Sequence, residues 1–247
     1  AKEKLVALLQ AEKDAGRRVL IGFDFPFGYP AGVAEHLTGE GNALALWSWL
    51  DERIEDAADN ANNRYAVASE INRAYPGVGP AWGRPAAWPY PDIPPKASER
   101  TGKHPAERRL VDIQASGAKT VWQLAYAGSV GSQVLLGLPV LHALRDNLAA
   151  TVWPFDGGLA SPSGSIVIAE VYPSLLQMQA HADRTKAEPL DSAQVRVSAR
   201  ALAALDANGK LGWLFSPNLS AEDRHTVETE EAWILGVGFE DELRAAA

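Results

Sequence analysis

Residues 17–30 read Arg-Arg-Val-Leu-Ile-Gly-Phe-Asp-Phe-Pro-Phe-Gly-Tyr-Pro. From Val19 to Phe25 the run is apolar apart from Gly22 and one acid, Asp24. A run without polar alternation suits a strand buried on both faces, and hence a parallel or mixed central sheet. Pro26 and the Phe-Gly-Tyr-Pro that follows end the strand, because proline removes a ladder donor. Upstream, residues 2–15 place Leu5, Leu8, Leu9 and Ala15 near helical spacing, and Gly16 supplies a stop. A second strand of the same kind is predicted over 165–172. Pro173 stops it, and Ser174 is placed to cap a following helix.

The long stretch between the two strands reads as mainly helical. Leu44, Trp47, Leu50 and Ile54 share one face of a helix predicted over 43–58, and a more polar helix is predicted over 60–74. Residues 76–95 are dense in proline and carry Trp82, Trp88 and Tyr90, a composition that forces an irregular excursion. A basic stretch, 96–109, precedes a helix expected over 132–148. Beyond the second strand, 191–208 is amphipathic and ends at Gly209. Residues 228–237 read as the front of a last helix with acids in its first turn. The expectation is a single α/β domain over 1–247 with a helical and irregular insertion at about 33–160.

Composition narrows the chemistry. The chain has 247 residues, 47% of them hydrophobic, enough for a sizeable core. It has no cysteine, which excludes disulfides, zinc-thiolate sites and thiol nucleophiles. A metal would need carboxylates, histidines or backbone oxygens, a donor set that favours Mg²⁺ or Mn²⁺. With 31 acidic and 23 Lys or Arg residues the formal charge is −8, which argues against nonspecific attachment to nucleic acid. No apolar run approaches the roughly 18–20 residues of a membrane-spanning helix. The opening Ala-Lys-Glu-Lys shows no signal-peptide core. The expectation is a soluble, cytoplasmic protein without a membrane partner.

Four acids stand in apolar contexts. Asp24 and Glu170 sit near the ends of the two strands, and Glu228 and Glu231 lie one helical turn apart. Ligands in open α/β sheets sit beyond the carboxyl ends of strands, so the four can converge. Converging carboxylates repel, and a divalent ion is the usual way to keep them ionised together. Two such ions would activate water and stabilise the leaving oxygen in phosphoryl transfer. The alternative is structural: the strand acids bond loop amides, and the helical pair complements the macrodipole.

The segments "IGFDFPFGYP", "IAEVYPS" and "ETEEAWILGV", in that order, resemble signatures of a family of uncharacterised proteins predicted to be RNase H-like nucleases. The last segment also resembles a helix of bacterial Holliday-junction resolvases. The resemblance covers roughly the first 30 residues and the stretch 165–240. It implies an RNase H-like mixed sheet and a metal site of Asp24, Glu170 and Glu231, with Glu228 in support and Mg²⁺ or Mn²⁺ as cofactor. The family also opens with strands carrying a leading Asp, which nothing here matches, because residues 1–16 read as a helix. The expectation is therefore a sheet lacking its N-terminal strands and a site one acid short, from a truncated chain or one whose first strands are missing. Both C-terminal acids are also Glu where the family commonly has Asp.

Two further stretches can meet phosphate. Gly128, Ser129, Gly131 and Ser132 precede a helix and suit an anion cradle, although neither the P-loop nor the dinucleotide spacing is present. Lys103, Arg108 and Arg109 can meet nucleic-acid phosphates, with Trp82, Trp88 and Tyr90 as stacking faces. The bland readings are a plain helix-start turn and a solvated loop. No Gly-x-Ser-x-Gly elbow occurs, and the histidines lack metal spacing. Three functions remain open at this point: a metal-dependent phosphodiester hydrolase, an enzyme handling a small nucleotide or cofactor, and a binding module without catalysis.

Overall fold

The computed structural model describes residues 2–247. In chain order these form α1 (Lys2–Asp14), β1 (Val19–Phe23), α2 (Val33–Thr38), α3 (Ala43–Asp51), α4 (Arg64–Arg73), α5 (Leu110–Gln114), α6 (Gly131–Leu148), β2 (Thr151–Val152), β3 (Ile166–Glu170), α7 (Gln177–Asp183), α8 (Leu190–Ala207), α9 (Ala221–Thr226) and α10 (Glu240–Ala246). The sheet is small and wholly parallel, in the order β1-β3-β2. β1 and β3 pair from Val19 opposite Ile166 to Phe23 opposite Glu170, and Val152 lies opposite Ile168.

β3 is buried along its whole length and sorts its side chains by parity. Ile166 and Ile168 join a core with Phe27, Trp47, Leu50, Val134 and Leu138, under α3 and α6. Val167 and Ala169 join a second core with Trp153, Val197, Ala201 and Leu214, under α8. Covering both faces is what a parallel sheet requires. The register of β1 on β3 brings Asp24 and Glu170 to the same carboxyl edge.

Several boundaries differ from the sequence reading. The helix predicted over 43–58 stops at Asp51, and the next begins at Arg64 rather than at residue 60. Asn63 holds the intervening turn closed: its side-chain amide donates to the Arg53 carbonyl, and its carbonyl oxygen accepts from the Glu55 amide. The expected insertion of about 33–160 contains β2, so part of it belongs to the sheet.

The largest correction concerns 228–237. This segment is the end of a helix and not its front. α9 runs into a π-helical turn, Val227–Glu231, after which the chain turns sharply and Ile234 bridges to Glu170. Trp233, Ile234 and Leu235 are all buried, so the segment enters the core and touches the sheet through the single Ile234–Glu170 bridge.

Candidate active site

The site is built where four chain segments meet at the carboxyl edge of β1 and β3: the loop after β1, the start of α5, the end of β3 and the turn after α9. Glu170 is the last residue of β3 and is almost wholly buried. Its carboxylate accepts from the Phe27 amide at 2.9 Å and from two nitrogens of Arg109, each at 2.7 Å. Arg109 is fully enclosed. Its guanidinium also donates to both carboxylate oxygens of Asp112, at 2.8 and 3.1 Å, and to the Glu231 carbonyl at 2.9 Å. A guanidinium has five N–H donors, and these contacts use every one.

Asp112 sits one turn after Arg109 and also accepts the Arg109 backbone amide, so the pair caps α5 as well as filling the centre. Burial opposes the Arg109 charge, but the Asp112 and Glu170 carboxylates outweigh it and raise its pKa above the ordinary arginine value. One cation between two carboxylates leaves an excess of negative charge. The Phe27 and Arg109 amides, aimed at those carboxylates, supply the balancing partial charge.

Glu231 is buried beside this centre without entering it. One of its carboxylate oxygens accepts from the Ala31 amide at 2.9 Å, the other from the Leu110 amide at 2.6 Å. Glu230 accepts from the Gly32 amide at 2.8 Å. Carboxylates at the end of a helix oppose its macrodipole, so these amides replace the stabilisation that a helix start would have given. The loop after β1 is pressed against this turn. A Cβ on Gly28 would lie 2.1 Å from the Glu230 carbonyl oxygen, so only glycine fits there. Ala232 then takes φ 62° and ψ −176°, a conformation that favours glycine and costs about 1–3 kcal/mol.

The sequence-derived acids are therefore distributed as follows. Glu170 and Glu231 are brought together, the first bonded to the side chain of Arg109 and the second through its main-chain carbonyl. Asp24 shares with Arg109, Asp112, Glu170, Lys119 and Tyr172 the lining of a small cavity of about 50 Å³. It is open to solvent and has no hydrogen-bond or ion-pair partner among the described residues. Desolvation against its neighbours, and then the negative charge of Asp191, push its carboxyl above the usual range. Glu228 points elsewhere: it accepts from the Leu159 amide at 2.7 Å and pairs with Arg224 at 3.2 Å.

This donor set does not fit a divalent ion held by Asp24, Glu170 and Glu231. Both oxygens of Glu170 and both of Glu231 are already taken by N–H groups. Among the described residues no group of three or more His, Asp or Glu is arranged to hold a metal. No reaction step through such an ion follows from the arrangement.

The other sequence-derived positions divide in the same way. Arg109 lies in the core and is closed to any nucleic acid, whereas Lys103 and Arg108 are exposed. In the cradle of 128–132, which stays partly exposed, two amides and a hydroxyl are already used: the Ser129 amide donates to the Tyr126 carbonyl, the Gly131 amide to the Gln123 carbonyl, and the Ser132 hydroxyl to the Leu124 carbonyl. Gly128 lies over the Lys119 stem. Trp88 and Tyr90 pack against Tyr65, at centroid distances of 4.6 and 6.2 Å, while Trp88 stays exposed on its other side. Asp112 escaped the sequence reading altogether. Its signal was present, since Arg109 and Asp112 flank Leu110-Val111 with the i, i+3 spacing of a helix-start pair.

Comparisons with family models, with curated proteins and with solved structures found no match to this chain.

Proposed function

We propose that this chain is a binding module on an RNase H-like α/β framework, and that its ligand is a small phosphate-bearing molecule such as a nucleotide. The observation that carries the reading is the complete use of Arg109. A guanidinium occupies the position between carboxylates where a catalytic cation would be needed, so the acids act as a lock.

The free charges around the lock favour the phosphate-bearing class. Lys119 is exposed and lines the cavity, and the next residue, Thr120, donates to the Glu107 carbonyl at 2.7 Å, so the backbone carrying the exposed Arg108 runs beside that of Lys119. A net charge of −8 suits a small anion better than a long polyanion.

A second reading, the Mg²⁺- or Mn²⁺-dependent nuclease, is favoured by Asp24 alone. It is an unpartnered acid at the carboxyl edge of a parallel strand, held with a raised pKa.

Calorimetry separates the two. The module reading expects adenosine monophosphate to bind, binding to fall at least tenfold in Arg108→Ala/Lys119→Ala, and Mn²⁺ to give no heat. Mn²⁺ binding that Asp24→Asn weakens, together with phosphodiester hydrolysis, would overturn it in favour of the nuclease.

A further inference from the structure

β1 is an edge strand, and its free side is unusually uniform. The Val19 amide donates to Ser165 and the Phe23 carbonyl accepts from Val171, so Val19, Ile21 and Phe23 turn their backbone groups to β3. A parallel ladder alternates, and the amides and carbonyls of Leu20 and Gly22 therefore face away from the sheet. Nothing blunts this edge: Val19–Phe23 holds no proline, lysine or bulge. Beside it, between β1 and α8, runs an apolar groove of about 370 Å³ lined by Leu20, Gly22, Val171, Val195 and Leu202, with Val195 62% exposed.

The sequence of this edge is complementary to itself. Arg18-Val19-Leu20-Ile21-Gly22-Phe23-Asp24 can be folded about Ile21, which sets Arg18 against Asp24 and Leu20 against Gly22. Both terminal charges are exposed. Arg18 bonds only the Pro162 carbonyl, and Asp24 has no ion pair among the described residues.

We propose that a second copy of this chain occupies the edge, with the two β1 strands antiparallel about a two-fold axis at Ile21. In that register Leu20 of each copy exchanges both backbone hydrogen bonds with Gly22 of the other, so every outward group of the edge is satisfied. Leu20 of one copy stands beside Gly22 of the other, whose own Cβ position is filled by Val171 of its chain, so the incoming Leu20 rests against Val171 at the groove wall. Arg18 of each copy meets Asp24 of the other at either end, with Asp206 at the groove wall as its second carboxylate neighbour. The result is one continuous sheet through both molecules, closed by an isologous interface. This inference goes beyond the function proposed above and does not depend on it.

Sedimentation equilibrium tests it. The chain is expected to show a monomer–dimer equilibrium. Arg18→Asp or Asp24→Arg alone should weaken the dimer about tenfold at low salt, since two pairs are lost per interface. The double exchange Arg18→Asp/Asp24→Arg should restore it. The Leu20 and Gly22 amides should exchange with solvent more slowly as concentration rises. A chain that stays monomeric at every attainable concentration would overturn the proposal. So would a dimer indifferent to the charge exchange, including one built on another surface.

Discussion

Arg109 and Glu170 meet end-on: two parallel hydrogen bonds of 2.7 Å join side chains that are both closed to solvent and 61 residues apart in sequence. Replacing Arg109 leaves Glu170 and Asp112 buried without a counter-charge. Arg109→Met is expected to cost about 3–5 kcal/mol in urea unfolding. Arg109→Lys should recover little, because a single ammonium cannot reach Glu170, Asp112 and the Glu231 carbonyl in one plane. If the acids instead belonged to a metal centre, Arg109→Met would gain Mn²⁺ affinity.

Glu231 tests the lock from its other side. Its two oxygens serve two different amides, those of Ala31 and Leu110. Glu231→Gln keeps the shape but turns an N–H group toward one of these donors. It should lose about 1–3 kcal/mol, and Glu231→Ala should lose more by leaving both amides unpaired. Amide exchange at Ala31 and Leu110 checks the assignment, since both should quicken in either variant.

The sequence made β1 and β3 legible for a simple reason: both are apolar runs followed by proline, although only β3 is fully buried and β1, at the sheet edge, is partly exposed. The gathering of Glu170 and Glu231 was also legible as an expectation of convergence. What could not be read was the counter-charge. Arg109 follows Arg108 in a basic stretch, and local composition cannot tell the exposed arginine from the one drawn 61 residues across the fold to Glu170. The end of α9 failed for a related reason. Glu228 and Glu231 look like first-turn acids until the apolar Trp233 to Leu235 are seen to fill the core, which fixes the helix end ahead of them. β2 is only two residues long and leaves no periodic signal.

Gly28 reports on how closely the loop after β1 is seated. A methyl group there would meet the Glu230 carbonyl and the Glu231 backbone, which cannot rotate away as a flexible side chain would. Gly28→Ala is expected to lower the melting temperature and to separate Ala31 from Glu231. The cost should be about 1–3 kcal/mol, the range for overpacking a filled site. A neutral result would mean that the loop is free to move off the turn.

Asp24 gives the pH dependence. Desolvation, and then the charge of Asp191, hold its folded pKa above the unfolded value of about 3.9. A raised carboxyl penalises the ionised form on folding. Its contribution is therefore fully present below the unfolded pKa and is lost as pH rises through the folded one. Asn at this position carries no charge and is spared that loss. At concentrations where the chain is monomeric, so that no second copy bears on Asp24, melting curves of Asp24→Asn and the parent chain should coincide below about pH 4. They should separate above it, with the variant the more stable at pH 7. Because Asp24 is open to solvent, the gain should stay under about 1 kcal/mol, and added salt should shrink the part owed to Asp191. A variant less stable than the parent at pH 7 would show that the carboxylate accepts a bond in the folded chain. The expected gain would instead mark Asp24 as an acid that the fold carries at a cost and leaves free for a partner.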